Sequence, residues 1–147
     1  VRKKAALPTG NYLVPSGAGE LFEFDAAGKH LRTKSELTGV VKTQFAYDAS
    51  GRISSITDEN GLVTQILRPL GNPNQVQILA PKGQATVLTL DASSKLLSGV
   101  QVQAGLQGAQ TYSFTMDSAT GQLRQMTDPR SGAHVLEYDP TGRLDRD

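Results

Sequence analysis

With 15 basic and 14 acidic residues among 147, a formal net charge of +1 and no cysteine, the chain lacks a polybasic surface for nucleic acid or anionic lipid. It also lacks any basis for a disulfide framework or a thiolate metal site. Hydrophobic residues make up 37% and aromatics 5%, enough to line one face of a sheet, mostly with Leu, Ile and Val. No apolar run approaches the roughly 20 residues that span a bilayer. None follows the basic Arg2-Lys3-Lys4 run, which reads as a solvated terminus rather than a signal peptide.

In chain order, residues 1–19 hold Pro8, Gly10, Pro15, Gly17 and Gly19 and read as a lead-in segment. Residues 20–147 read as one repeat module. Its first copy, Leu21-Phe-Glu-Phe24-Asp25-Ala-Ala-Gly28-Lys-His-Leu, runs on to Gly39. The clearest copy is Phe45-Ala-Tyr47-Asp48-Ala-Ser-Gly51-Arg52-Ile-Ser-Ser-Ile-Thr57-Asp58-Glu-Asn-Gly61. Residues 62–83 keep the length but lose the Tyr-Asp signature, and Leu88-Thr-Leu-Asp91-Ala-Ser-Ser-Lys-Leu-Leu lacks its turn glycine on the way to Gly105. The next copy, Tyr112 through Asp117, Gly121, Thr127 and Asp128 to Gly132, has one extra residue in each turn. Another begins at Val135-Leu-Glu-Tyr138-Asp139-Pro-Thr-Gly142-Arg143-Leu and is cut at Asp147, so the chain is expected to be a piece of a longer array. Gly39, Gly61, Gly83 and Gly105 stand 22 apart, the mark of one small supersecondary unit used repeatedly.

Each unit predicts two short strands. In Phe22-Glu-Phe24, Phe45-Ala-Tyr47, Val76-Gln-Ile78, Leu88-Thr-Leu90, Val100-Gln-Val102 and Tyr112-Ser-Phe114 the apolar residues fall two apart, which sends both to one face. No window sustains the helical spacings of three and four without a Gly or Pro inside it. Ile53 and Ile56, like Leu123 and Met126, are three apart, which predicts a bulge or bend after the turn. In Asp25-Ala-Ala-Gly28, Asp48-Ala-Ser-Gly51, Asp58-Glu-Asn-Gly61 and Asp139-Pro-Thr-Gly142, Asp opens a type I turn and accepts a bond from it. Gly sits fourth, where the closing bulge needs positive φ. Ala80-Pro-Lys-Gly83 makes the same turn without Asp. The fold class predicted is all-β: tandem hairpins forming a curled antiparallel sheet. A β-propeller is the rival, since two units approach one blade, but 147 residues give about three blades where closure takes at least four.

The string Tyr-Asp-x-x-Gly-Arg-Leu/Ile-x-x-Ile/Met-Thr-Asp-x-x-Gly, carried by residues 47–61, 117–132 and 138–144, resembles the YD or Rhs repeat of bacterial polymorphic toxins, toxin-complex shell proteins and teneurins. The order of early segments from Gly19 to Arg68-Pro is similar to the start of a teneurin shell, which would make residues 1–18 the exit from a preceding β-propeller. The resemblance implies a sheet spiralling into a hollow shell. In toxin members the shell encloses a C-terminal domain released by self-cleavage; in teneurins it is an extracellular adhesion platform. Asp139-Pro140 fits the ordinary repeat and not the cleavage segment, so no autoprotease residue carries over.

Chemistry finds little purchase in this sequence. His30 and His134 fall in different repeats beside aliphatic residues, and Asp58-Glu59-Asn60-Gly61 lacks the alternating oxygen ligands of a calcium loop, so no metal or cofactor is expected. There is no Gly-x-Ser-x-Gly elbow and no phosphate-binding glycine loop. The expected role is a non-catalytic wall that encapsulates or presents a C-terminal, toxin-like domain in a secreted or surface protein, with a bacterial source. The alternative is a teneurin-like adhesion or carbohydrate-binding module. Expected partners are the rest of its own shell, an enclosed domain, other copies through open strand edges, and a glycan or surface protein.

Overall fold

The computed structural model describes residues 5–6, 10–103 and 108–147. Arg2, Lys3, Lys4, Pro8 and Gly105 lie outside the described residues. Regular structure among the described residues is all β, and every pairing is antiparallel between neighbours in sequence, as the repeat predicts. The chain divides into two compact units, Val1–Gln65 and Ile66–Asp147.

The first unit holds β1 (Ala5–Ala6), β2 (Tyr12–Pro15), β3 (Glu20–Phe24), β4 (His30–Ser35), β5 (Val41–Tyr47), β6 (Ile53–Asp58) and the first residues of β7 (Val63–Leu67). β2 falls inside the lead-in residues 1–19 and pairs with β3, Tyr12 opposite Phe24 and Val14 opposite Phe22. The second unit holds β8 (Gln75–Leu79), β9 (Ala85–Leu90), β10 (Leu97–Gln103), β11 (Ala109–Met116), β12 (Leu123–Thr127) and β13 (Ala133–Val135). A separate hairpin of β14 (Glu137–Tyr138) and β15 (Leu144–Arg146) follows in the same unit.

The bulge after the turn resolves the three-residue spacing. Ala46 faces Ser55 but Tyr47 faces Ile53, so Ser54 is the extra residue and Ile53 and Ile56 reach the same face. Met116 faces Leu123 and Phe114 faces Met126 by the same device, with Arg124 displaced. In the first copy Phe24 faces His30 and Phe22 faces Thr33, so His30 and Thr33 occupy the places that Ile53 and Ile56 hold later.

Strand alternation then sorts the faces of each unit. In the first, Tyr12, Phe22, Phe24, Phe45, Tyr47, Ile53 and Ile56 share one face, while Leu13, Glu23, Arg32, Gln44, Thr57 and Val63 form a row across the other. In the second, Val76, Leu88, Val100 and Tyr112 run across the apolar face, and Gln77, Val87, Gln101 and Thr111 across its reverse. No hydrophobic side chain among the described residues is fully buried. Among the described residues the apolar face of each unit is only half covered, so its core is half complete.

Candidate functional site

The recurrent residues assemble into the repeat turn. At Asp48, Oδ1 accepts the N–H groups of Ser50 and Arg52 at 2.9 Å each, and Gly51 N–H closes on the Asp48 carbonyl at 2.8 Å. The same set recurs at Asp25, Asp58, Asp128 and Asp139. The second oxygen explains the arginine, which the sequence did not account for. Asp48 Oδ2 takes Arg52 Nε at 2.9 Å, Asp139 Oδ2 takes Arg143 Nε at 3.0 Å, and Asp117 Oδ2 takes Arg124 Nη2 at 2.9 Å.

Positive φ falls where the turn needs it, at Gly28, Gly51, Gly61, Gly83, Gly121 and Gly142, and Gly39 shares it. In the copy without a turn glycine, Lys95 adopts φ 60° instead. The spacing predicts an extra residue in both turns of the Tyr112 copy, and only the first has one. The Asp117 turn has its extra residue, closing from Gly121 N–H to the Asp117 carbonyl, but the Asp128 turn does not. There Ser131 holds positive φ (68°) and Gly132 is the first residue past the turn. Gly132 is glycine for a different reason: a Cβ there would lie 2.8 Å from Asp128 Oδ2. Thr57 and Thr127 precede their turns on the polar face, with Thr127 Oγ1 accepting from Gln125 Nε2 at 3.2 Å.

The carboxylates of Asp48, Asp91, Asp117, Asp128 and Asp139 are held ionised. Thr141 hydroxyl and Arg143 bring Asp139 down to about 2, and Arg124 with the turn N–H groups brings Asp117 to about 2. Backbone N–H bonds also lower Asp48, Asp91 and Asp128, led by those of Arg52, Ser94 and Gly132 respectively. A carboxyl so saturated with donors does not hold a proton at neutral pH and is poorly suited to general acid work.

Copies are laced to one another in the first unit by an aromatic ladder. Tyr12 stacks on Phe24 (5.4 Å), Phe24 on His30 (4.9 Å) and His30 against Phe45 (4.6 Å). Tyr47 Oη donates to the His30 carbonyl at 2.6 Å, and Lys29 Nζ sits 5.2 Å over the Tyr47 ring. His30 Nε2 lies 3.0 Å from the Arg32 carbonyl and 3.2 Å from Thr33 Oγ1, which engages the ring nitrogen within the sheet. In the second unit Arg124 stacks over Tyr138 at 5.7 Å. On the reverse of the first unit Glu23 is 4% exposed, bonded by Asn11 Nδ2 (3.0 Å) and paired with Lys34 Nζ (2.6 Å) and Arg32 Nε (3.6 Å). The Lys34 bond leads in lowering its carboxyl, against the opposing effect of burial. No grouping of three or more His, Cys, Asp or Glu gathers among the described residues, and these form no helix long and apolar enough to cross a membrane.

The family described as Teneurin YD-shell matches residues 9–147. Among curated proteins, Teneurin-4 of Mus musculus is 33% identical over 126 residues, 85% of this chain and 4% of its own length. Teneurin-1 of Gallus gallus is 32% identical over 146 residues, 97% of this chain and 5% of its own. Teneurin-m of Drosophila melanogaster is 29% identical over 131 residues, 85% of this chain and 4% of its own. The chain spans about a twentieth of these relatives. They are animal proteins and lend nothing to the expected bacterial source. A match that runs through the tandem turns and bulged strands of both units establishes that the chain belongs to the Teneurin YD-shell family, as a structural shell module.

Proposed function

We propose that this chain is a non-catalytic stretch of wall in a longer teneurin-type shell at the cell surface, with the apolar face of each unit turned onto polypeptide that the shell encloses or presents. The observation that carries this reading is the half-finished core. The turns are fully bonded and the ladder is ordered, yet no hydrophobic side chain among the described residues is fully buried. Apolar faces of this extent call for a covering layer. In the longer protein that polypeptide supplies it, whereas the isolated chain keeps half-covered faces and open strand edges through which copies pair.

Limited proteolysis of the longer protein with mass spectrometry tests the wall reading. Cleavage confined to loops, with residues 10–147 resistant, is expected. A C-terminal piece that is already cut yet protected and co-purifying would make the wall a container, and an intact chain with no such piece would make it a platform for adhesion. Rapid digestion throughout residues 10–147 in the longer protein would overturn the wall reading itself.

A further inference from the structure

The polar face of the second unit is unusual in carrying almost no charge. Arg124, in a bulge and paired with Asp117, is the sole acidic or basic residue besides His134 in strands β8 to β13; the other charged residues lie in turns or beyond. On the corresponding strands of the first unit stand Glu20, Glu23, Arg32, Lys34 and Lys42. A water-facing sheet ordinarily keeps both signs of charge for solubility, so amide and hydroxyl groups alone mark a surface suited to something neutral.

This face holds a shallow groove of about 260 Å³ where β8, β9, β10 and β11 present Gln77, Val87 and Ala85, Gln101 and Gln103, and Ala109. Register explains the depression. Gln77 and Gln101 flank Val87 in one row, and Gln103 stands opposite Ala109, so long amides border short side chains. Gln101 Nε2 donates to Thr111 Oγ1 at 3.2 Å, which leaves its oxygen to accept. Among the described residues the Gln77 and Gln103 amides have no hydrogen-bond partner, so each offers two donors and an acceptor.

We infer that this groove binds a neutral glycan, recognising vicinal hydroxyls through the amides of Gln77, Gln101 and Gln103 over the Ala85, Val87 and Ala109 floor. No cation lines it to hold an anionic sugar or phosphate, and no carboxylate lines it to hold a metal. An extended peptide adds to a sheet through an open backbone edge. At this groove the β9 and β10 backbones are paired on both sides, so side-chain amides do the recognising. A hydroxyl both donates and accepts, which matches a free amide in either orientation. The groove belongs to the second unit alone and does not depend on the wall reading.

The test is titration of the 147-residue chain, followed by the NMR signals of its glutamine side-chain amides. The probes are trisaccharides of mannose, of galactose and of N-acetylglucosamine, with a heparin tetrasaccharide and a neutral Ser/Gly peptide beside them. Shifts at Gln77, Gln101 and Gln103 are expected with at least one neutral trisaccharide, at an affinity on the order of millimolar for so open a site. Gln101→Ala and Gln103→Ala should each weaken it by roughly three- to tenfold, the effect of one lost hydrogen bond. Gln65→Ala, an exposed glutamine of the first unit, should leave it unchanged. Gln103→Ser guards against a variant that misfolds, and retained spectral dispersion verifies each fold. No shift with any neutral sugar, response to heparin or peptide alone, or equal binding by the alanine variants would overturn the proposal.

Discussion

The two oxygens of a repeat aspartate carry separate duties. One gathers backbone N–H groups and so fixes the turn; the other anchors the arginine that follows, as at Asp48 with Arg52 and Asp139 with Arg143. Both duties require the carboxylate, which gives the fold a pH signature. Asp117 and Asp139 fall from the ordinary 3.8 to about 2, so each favours the folded state fully above 3.8 and loses that contribution as the pH drops towards about 2. Because these groups are open to solvent, the effect of each is modest. Thermal melts across pH should hold level down to the region of 3.8 and then decline, with Asp117→Asn flattening that decline. A midpoint insensitive to pH below 3.8 in the parent chain would contradict this role. The turn itself was legible in the sequence, since Asp and Gly recur at fixed offsets. The arginine was not, because its partner depends on which carboxylate oxygen the turn leaves free. Ser131 shows the same limit: the repeat marks a turn, but only the backbone tells which residue takes positive φ.

At the scale of the strand pair, the bulge turns a spacing of three into a shared face, and Ile53 with Ile56 announced it in the sequence. The aromatic ladder was hidden, because His30 replaces the expected aliphatic residue and its partners Phe24 and Phe45 come from different hairpins. Glu23 was hidden for a related reason. Alternation places it on the polar side, but burial to 4% exposure follows from Asn11, just before β2, and Lys34 of β4 reaching over it. The ladder makes a sharp claim about Phe45, whose ring lies 4.6 Å from that of His30. Phe45→Ala should destabilise the first unit by about 1–3 kcal/mol, less than a fully enclosed phenylalanine because the face is half covered. Urea unfolding followed by hydrogen exchange should place that loss in β3 to β6 and leave β8 to β12 unchanged. Uniform loss in both units would count against a local ladder.

For the whole molecule, repetition made the all-β antiparallel architecture readable, while the division at Gln65 and Ile66 had no counterpart in the repeat spacing. On the proposed wall reading, the apolar face of each unit, half covered in this chain, is closed over in the longer protein. Val102 and Gln101 are neighbours that alternation sends to opposite faces of β10, Val102 is 38% exposed and Gln101 is exposed too. The chain has no cysteine of its own, so a thiol introduced at either position reports alone within it. The decisive measurement is the rate at which a bulky polyethylene-glycol maleimide labels Val102→Cys and Gln101→Cys, read peptide by peptide in the isolated chain and in the longer protein. Comparable labelling of both is expected in the isolated chain, with strong protection of the Val102→Cys thiol alone in the longer protein. Equal labelling of the two in the longer protein would contradict the wall reading.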